Sequence, residues 1–157
     1  MSKSVKRVEK ALSEAGHATD IVRMPESTRT AEEAAVACKC AVGQIVKSLI
    51  FLGKESGEMK LLLVSGDHQV DMTAVKSVIG EELGRADVRA VRDVTGFAIG
   101  GVSPIGHLTP LATFMDAHLL TFNRVWAAAG APNAVFDIDP KTLLEMTGAA
   151  LLKVTGD

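Results

Sequence analysis

Hydrophobic residues recur along this chain with two different spacings, which predict a mixture of helices and strands. Near the N-terminus, four apolar residues at helical spacing predict a helix that ends at Gly16: Val5, Val8, Leu12 and Ala15. In "GQIVKSLIFLG", a nearly continuous apolar run predicts a buried strand over residues 45–52. A polar turn and a second apolar segment over residues 60–65 follow, so we expect these two strands to pair as a hairpin.

The rest of the chain changes between helical and extended patterns without a regular strand–helix–strand order. Further strands are predicted in four segments: "HATDIVRM", "LATFMD", "NAVFDID" and "GAALLKVTG". Further helices are predicted after the capping residues Thr30, Asp71 and Asp139, in "RADVRAVRDVTG" up to Gly96, and in "TFNRVWAAAG" up to Gly130. The pattern predicts an α+β fold, a single domain over residues 1–157 with a mixed, largely antiparallel central sheet surrounded by helices.

A single cation, Lys47, interrupts the apolar strand over residues 45–52. With a period of two, its side chain shares a face with Ile45, Leu49 and Phe51. A charged side chain in such a run is usually paired or functional. Two interpretations stay open: an edge-strand lysine whose ammonium reaches water, or a cation at the wall of a pocket that holds a phosphate, carboxylate or polarised carbonyl.

The segment "GFAIGGVSPIGH", residues 96–107, is the second candidate and is called the glycine loop below. Its glycines allow positive φ angles and close approach to a ligand, so the loop can direct successive amide N–H groups at an anion or oxyanion. The alternative is a turn-rich connection between a helix and a strand. His107 and Leu108 stand where a Walker loop requires Lys and Ser or Thr, which excludes that motif.

Charge and residue types narrow the chemistry further. With 17 basic and 19 acidic residues, the net charge of −2 argues against nonspecific electrostatic binding of duplex DNA, although it permits a local basic patch. The four histidines form no zinc motif, and Cys38 and Cys40 diverge within a predicted helix, so we expect no metal and no cofactor. Without a signal-peptide pattern or a membrane-spanning run, we expect a cytoplasmic protein with no membrane partner.

The order of these features resembles the YbaK/prolyl-tRNA synthetase-associated family of aminoacyl-tRNA editing domains. The likeness covers almost the whole chain and is carried by "TAEEAA", "QIVKSLIF", "LVSGDHQVD", "TGFAIGGVSPIG", "FMD" and "AAGAPNAVFDIDP". The lysine strand and the Gly-Gly-Val-Ser-Pro loop are specific in combination, whereas either alone is weak. The resemblance implies the fold of that family. It also implies a hydrolase that acts in trans on the 3′ end of mischarged aminoacyl-tRNA, above all tRNA(Pro), with prolyl-tRNA synthetase as a further partner.

The resemblance also implies roles for particular residues. Lys47 would lie at the 3′ end of the substrate, and the loop would lie over the scissile ester with its amides facing the carbonyl. The catalytic set is then Lys47, Gly100, Gly101 and Ser103. Substrate contacts are predicted at Val102, Pro104, Ile105, Gly106, His107, Thr28 and Asp116, the last because it ends an apolar strand shortly after the glycine loop.

Members of this family use neither a serine nucleophile nor a metal, so the resemblance implies attack by water, assisted by the terminal ribose hydroxyl of the substrate. Some members carry a tyrosine near the first strand, whereas this chain has none, so the role of that hydroxyl is either absent here or filled by Ser27 or Thr28. Alanine, cysteine, serine, threonine and small non-protein amino acids all stay open as the group removed. The alternative function is a non-catalytic module that binds tRNA or a synthetase.

Overall fold

The structure, a computed structural model, describes residues 2–17 and 20–156. Its five α-helices are α1 (Lys3–Glu14), α2 (Ala31–Cys38), α3 (Met72–Ile79), α4 (Val88–Thr95) and α5 (Pro140–Thr147). Its eight strands are β1 (Val22–Arg23), β2 (Val46–Gly53), β3 (Met59–Ser65), β4 (Leu83–Arg85), β5 (Ala112–Asp116), β6 (Val125–Ala131), β7 (Ala134–Ile138) and β8 (Ala150–Leu152). Short 3-10 turns cover Val42–Gln44 and Ala117–Thr121.

The strands form two sheets, and the mixed arrangement of helices and strands confirms the predicted α+β class. The larger sheet has the order β4-β2-β3-β5-β8, in which β2 pairs antiparallel with both neighbours while β3–β5 and β5–β8 are parallel. The smaller sheet, β1-β7-β6, is antiparallel. The predicted hairpin is confirmed, with Val46 opposite Ser65 and Leu52 opposite Met59. One central sheet was expected, and two are found.

The predicted helix starts are confirmed at their capping side chains. The Thr30 hydroxyl accepts the N–H of Glu33, and the Asp71 carboxylate accepts two N–H groups of the first turn of α3. Asp139 caps α5, with Pro140 in the first turn, where its missing N–H costs nothing. Of the strand predicted in "HATDIVRM", the structure shows only the two residues of β1. Residues 18 and 19 of that segment lie outside the described residues.

The segment "TFNRVWAAAG" is not a helix, and this part of the prediction is wrong. Its residues form β6, along which burial alternates from Val125 to Ala129. The alanines have high helix propensity, but tertiary packing overrides it. Small side chains let α1 pack closely on β6, and Ser4 donates its hydroxyl proton to the Gly130 carbonyl at 2.7 Å. Because alanine occupies both faces of β6, its sequence does not alternate between hydrophobic and polar residues, and the period of two cannot be recognised from it.

The hydrophobic core divides around the larger sheet, as the alternation along β2 predicts. Val46 and Ile50 pack in a cluster with α1, β6 and β7, whereas Leu49 and Phe51 pack with Leu62 and its neighbours beside α3. Within the described residues, no helix is long and apolar enough to cross a membrane.

Close packing of α1 on β6 predicts a large cost for a side chain at Gly130. This glycine has a φ of 98°, and an added Cβ would lie 2.9 Å from the backbone C and O atoms of Ser4. Gly57 also has positive φ, 72°, but open space around it. We expect Gly130→Ala to lower the free energy of unfolding by about 1–3 kcal/mol more than Gly57→Ala, measured by urea denaturation. Equal losses would contradict close packing here.

Candidate active site

A cavity of about 660 Å³ lies beside β2, within the size range of small-molecule sites. β4 pairs with β2 only from Phe51 to Gly53, which leaves the preceding part of β2 without a strand on that side. The main cavity occupies this gap. Its walls come from β2, the start of α2, the segment after β4, residues 99–102 of the glycine loop, and Trp126 to Ala128 of β6.

Lys47 lines the main cavity, which favours the pocket-wall interpretation over the snorkelling one. Its side chain is half-buried, and its ammonium donates to the backbone carbonyl of His68 at 2.6 Å. It forms no salt bridge with a carboxylate in the described part of the chain. Because an ammonium has three N–H donors, two are available for an anionic or carbonyl ligand.

The acceptor of Lys47 belongs to a buried polar network. The Asp116 side chain is 2% exposed, and its Oδ2 lies 2.7 Å from His68 Nδ1. The same oxygen accepts the N–H of Ser65 at 3.1 Å, and Oδ1 accepts the N–H of His118. Asp116 thus lies outside the residues that line the main cavity and holds the segment after β3, so its predicted substrate contact is corrected to a structural role.

The glycine loop contributes three residues to the lining of the main cavity, Ile99, Gly100 and Val102. Gly100 has a φ of 97° within a turn that is closed by a hydrogen bond from the Gly101 N–H to the Ala98 carbonyl. An added Cβ at Gly101 would lie 3.1 Å from the Ala131 backbone, so glycine allows the loop to lie against the β6–β7 turn. The N–H groups of Gly100 and Val102 donate to no acceptor in residues 2–17 and 20–156.

Arg7 of α1 holds both ends of the glycine loop, a contact that no pattern in the sequence predicts. Its Nη2 donates to the Gly96 carbonyl at 2.7 Å and its Nε to the Gly106 carbonyl at 3.1 Å. The guanidinium also lies 5.0 Å from the ring centre of Phe97, a favourable cation–π distance. The loop is therefore held from the side of α1 while Gly100 and Val102 face the cavity.

The second half of the glycine loop lies outside the lining of the main cavity, and five predicted site positions fall in it. Four of them line a separate cavity of about 430 Å³ near the end of α1 and α5: Pro104, Ile105, Gly106 and His107. Ser103 is fully buried, and its hydroxyl accepts the Ile105 N–H. In this structure these residues lie behind the part of the loop that lines the main cavity, so their predicted contact with substrate stays a prediction.

Thr28 does line the main cavity, but its hydroxyl proton goes to the Pro132 carbonyl, so it also ties its segment to the β6–β7 turn. Ser27 accepts the N–H of Arg29. The Thr28 hydroxyl proton is therefore already used, whereas Ser27 only accepts in this contact and keeps its own proton.

Three polar residues that were not named as site residues from the sequence also line the main cavity. Arg29 and Arg85 bring two further cations to its lining, where Glu32 is the one acidic residue among those described. The lining is thus locally basic within an acidic chain. The Ser48 hydroxyl is buried and has no hydrogen-bond partner in the described residues, which leaves it available to a ligand. No motif signals these residues, because they come from separate elements that only the fold brings together.

The cysteines do not offer a nucleophile. α2 ends at Cys38, and Lys39 takes a left-handed φ of 56°, so Cys40 lies beyond the helix in which both were predicted. Burial, with a smaller contribution from Cys40, raises the pKa of the Cys38 thiol to about 11. Burial also raises the pKa of Cys40. Both thiols are protonated at neutral pH, and the thiol is a poor nucleophile.

The cavity thus brings together Lys47, which has no carboxylate partner in the described residues, the arginines Arg29 and Arg85, and the backbone of Gly100 and Val102. Comparison with known proteins gives the family. The aminoacyl-tRNA editing domain matches residues 25–146, so the chain belongs to that family. This confirms the resemblance drawn from the sequence and the class predicted from it, an aminoacyl-tRNA editing enzyme.

Individual relatives agree with this assignment. A solved structure of a proposed trans-editing enzyme for prolyl-tRNA synthetase is 46% identical, with a TM-score of 0.91 over 99% of this chain and 98% of that one. The uncharacterized protein YwhH of Bacillus subtilis is 28% identical over 92% of this chain and 91% of its own. The proposed Cys-tRNA(Pro)/Cys-tRNA(Cys) deacylase EbsC of Enterococcus faecalis is 22% identical over 83% and 79%.

His107 predicts a pH dependence of stability. Burial lowers its pKa below the ordinary value of 6.5, an effect that the hydrogen bond to Ser103 partly offsets. The unfolded chain therefore binds this proton at a higher pH than the folded chain, and the free energy of unfolding falls as pH drops through 6.5 toward the folded-state pKa. We therefore expect the free energy of unfolding of His107→Gln, measured by urea denaturation, to fall less between neutral and acidic pH than that of the unmodified protein.

His17→Gln is the matched control, because His17 is exposed on the segment after α1. It should keep the pH dependence of the unmodified protein. If the free energy of unfolding of His107→Gln changed with pH as it does in the unmodified protein, protonation of the His107 imidazole would not destabilise the fold.

Proposed function

We propose that this protein hydrolyses, in trans, the ester of tRNA(Pro) that carries a small wrong amino acid. The observation that carries the proposal is the position of Lys47, with two unused donors, in the same cavity as the free amides of Gly100 and Val102. The names of the trans-editing relative and of EbsC support the choice of tRNA(Pro). Prolyl-tRNA synthetase is the expected functional partner.

Cations at the rim would bind the 3′ end of the tRNA. Lys47, Arg29 and Arg85 come from three different elements and line one cavity, an arrangement suited to the phosphates of a bent single strand. An overall charge of −2 limits attraction to nucleic acid elsewhere on the surface. The protein would therefore recognise the acceptor end rather than a long helical stretch.

The chemistry needs no side-chain nucleophile. A water molecule attacks the ester carbonyl carbon, and the carbonyl oxygen gains negative charge that the N–H groups of Gly100 and Val102 stabilise. The C–O bond to the ribose then breaks, and the leaving ribose oxygen takes up the proton that the attacking water releases. The neighbouring hydroxyl of the terminal ribose, which carries no ester, assists the attack by orienting the water. Positioning and oxyanion stabilisation supply the rate enhancement.

Size would select the amino acid. One methylene changes the energy of a complex by about 1–3 kcal/mol in an apolar pocket, so several small residues can share the site at different rates. Ala127 and Ala128 keep the β6 wall open, and Ser48 of β2 adds a polar group to the cavity.

A deacylation panel tests the proposal. tRNA(Pro) is charged separately with Ala, Cys, Ser, Thr, 2-aminobutyrate or Pro and mixed with substoichiometric protein. We expect repeated turnover of one or a few wrong esters, with Pro-tRNA(Pro) spared. In Lys47→Ala, kcat/KM should fall by roughly 10²–10³, the usual cost of removing a preorganised electrostatic contact.

Lys54→Ala is the matched control, since Lys54 is an exposed lysine just beyond the same strand whose surface pair with Glu82 contributes little stability. It should keep full activity. Tight binding of the charged tRNA without turnover would favour the non-catalytic binding module. Full activity in folded Lys47→Ala would contradict the role of the lysine.

The arginines give a prediction about salt. Removing one phosphate contact should flatten the dependence of log(kcat/KM) on log[salt] by about 0.7, the value for single strands. We expect Arg29→Ala and Arg85→Ala to raise KM and flatten this slope while kcat changes little. Arg89→Ala, an exposed arginine outside the cavity lining, is the control. If the slopes of log(kcat/KM) against log[salt] in these variants equalled that of the control, the arginines would not contact the phosphates of the substrate.

A further inference from the structure

A cluster of potential metal ligands lies close to the main cavity but outside its lining. It consists of Asp67 and His68, after β3, and His118, in the 3-10 turn after β5. One ligand atom from each residue lies within 4.8 Å of the others. The imidazole rings of His68 and His118 stack with their centres 4.4 Å apart.

Buried contacts orient the first histidine as in known metal sites. Because the Asp116 carboxylate only accepts hydrogen bonds, its 2.7 Å contact places the proton of His68 on Nδ1. The lone pair of Nε2 is then free for a ligand. A carboxylate that holds the second nitrogen in this way accompanies most metal-binding histidines, because it fixes the tautomer and increases the basicity of the ligand.

The carboxylate ligand lies against a buried hydroxyl. Ser65 Oγ is fully buried 2.9 Å from Asp67 Oδ1, and its one proton is shared between this oxygen and the Gly43 carbonyl at 2.6 Å. The Asp67 residue is exposed, whereas His68 and His118 are half-buried, so an ion has a path from solvent and room for a water ligand. Each outer contact comes from β3 or from the end of β5, both rigid parts of the larger sheet.

We propose, contrary to the expectation of no metal drawn from the sequence, that Asp67, His68 and His118 bind a zinc-class divalent ion, with water as the remaining ligand. Two imidazoles and a carboxylate form a donor set typical of Zn²⁺ and Co²⁺, whereas Mg²⁺ and Ca²⁺ prefer oxygen ligands alone. The ion would anchor the segment whose His68 carbonyl holds Lys47. Its binding does not depend on the proposed deacylation, because no ligand of the ion lines the main cavity.

Cobalt binding tests the site directly. Chelator-treated protein is titrated with Co²⁺, and the visible d–d absorption reports coordination by nitrogen and oxygen ligands. We expect one ion per chain, displacement by Zn²⁺, and a rise in melting temperature on addition of Zn²⁺. Asp116→Asn, which keeps the shape of the buried side chain, should weaken binding by about 10- to 100-fold.

Ligand variants and matched controls decide the outcome. Asp67→Asn and His118→Ala should lose more affinity than Asp116→Asn, while His17→Ala and Cys40→Ser should bind as the unmodified protein does. Melting curves without metal identify variants that fail to fold, and Asp67→Asn, a shape-conserving change of an exposed residue, provides the answer if His118→Ala is unfolded. A spectrum equal to that of free aqueous Co²⁺, or binding that persists in Asp67→Asn, would overturn the proposal.

Discussion

The hydrogen bond between the Lys47 ammonium and the His68 carbonyl is the contact on which the site depends. A backbone carbonyl orients the cation without neutralising it, as a carboxylate would. A half-buried charge without an opposite charge interacts strongly with an anionic ligand, because the surroundings screen less than water does. The contact needs the unpaired part of β2 on one side and the returning segment after β3 on the other. Asp116 fixes that segment through Ser65 and His68.

The glycine loop has two faces with different tasks. Gly100 and Val102 face the main cavity, whereas Pro104 to His107 line the second cavity near α1 and α5. Arg7 connects them by holding both ends of the loop. Preorganised amides stabilise a developing oxyanion only when they do not move during the reaction, so contacts behind the loop matter for chemistry in front of it.

The sequence predicts local structure well where side chains act on their own backbone. Capping by Thr30, Asp71 and Asp139 and the hydrophobic run of β2 need only neighbouring residues. β6 escaped prediction because its alanines fit a helix and a closely packed strand equally well, and only contact with α1 decides between them. Lys47 and Gly100 could be found because a buried cation and clustered glycines are unusual in themselves.

The remaining site residues depend on tertiary contacts that no local pattern contains. Arg29 and Arg85 look like ordinary surface arginines until the fold places them on one cavity. Asp116 looked like a site residue because it ends a strand near the glycine loop, but the fold directs its carboxylate inward. Likewise, His107 is adjacent to the catalytic candidates in sequence and faces the opposite side of the loop.

The central claim is that the scissile ester lies between β2 and the glycine loop. A crystal structure with a 3′-aminoacylamino-3′-deoxyadenosine 5′-phosphate, a stable amide analogue of the charged tRNA end, tests it most directly. We predict the amide carbonyl oxygen at hydrogen-bond distance from the N–H groups of Gly100 and Val102, with Lys47 on the phosphate or ribose. An analogue bound in the second cavity, or with its carbonyl turned away from the loop, would contradict the account.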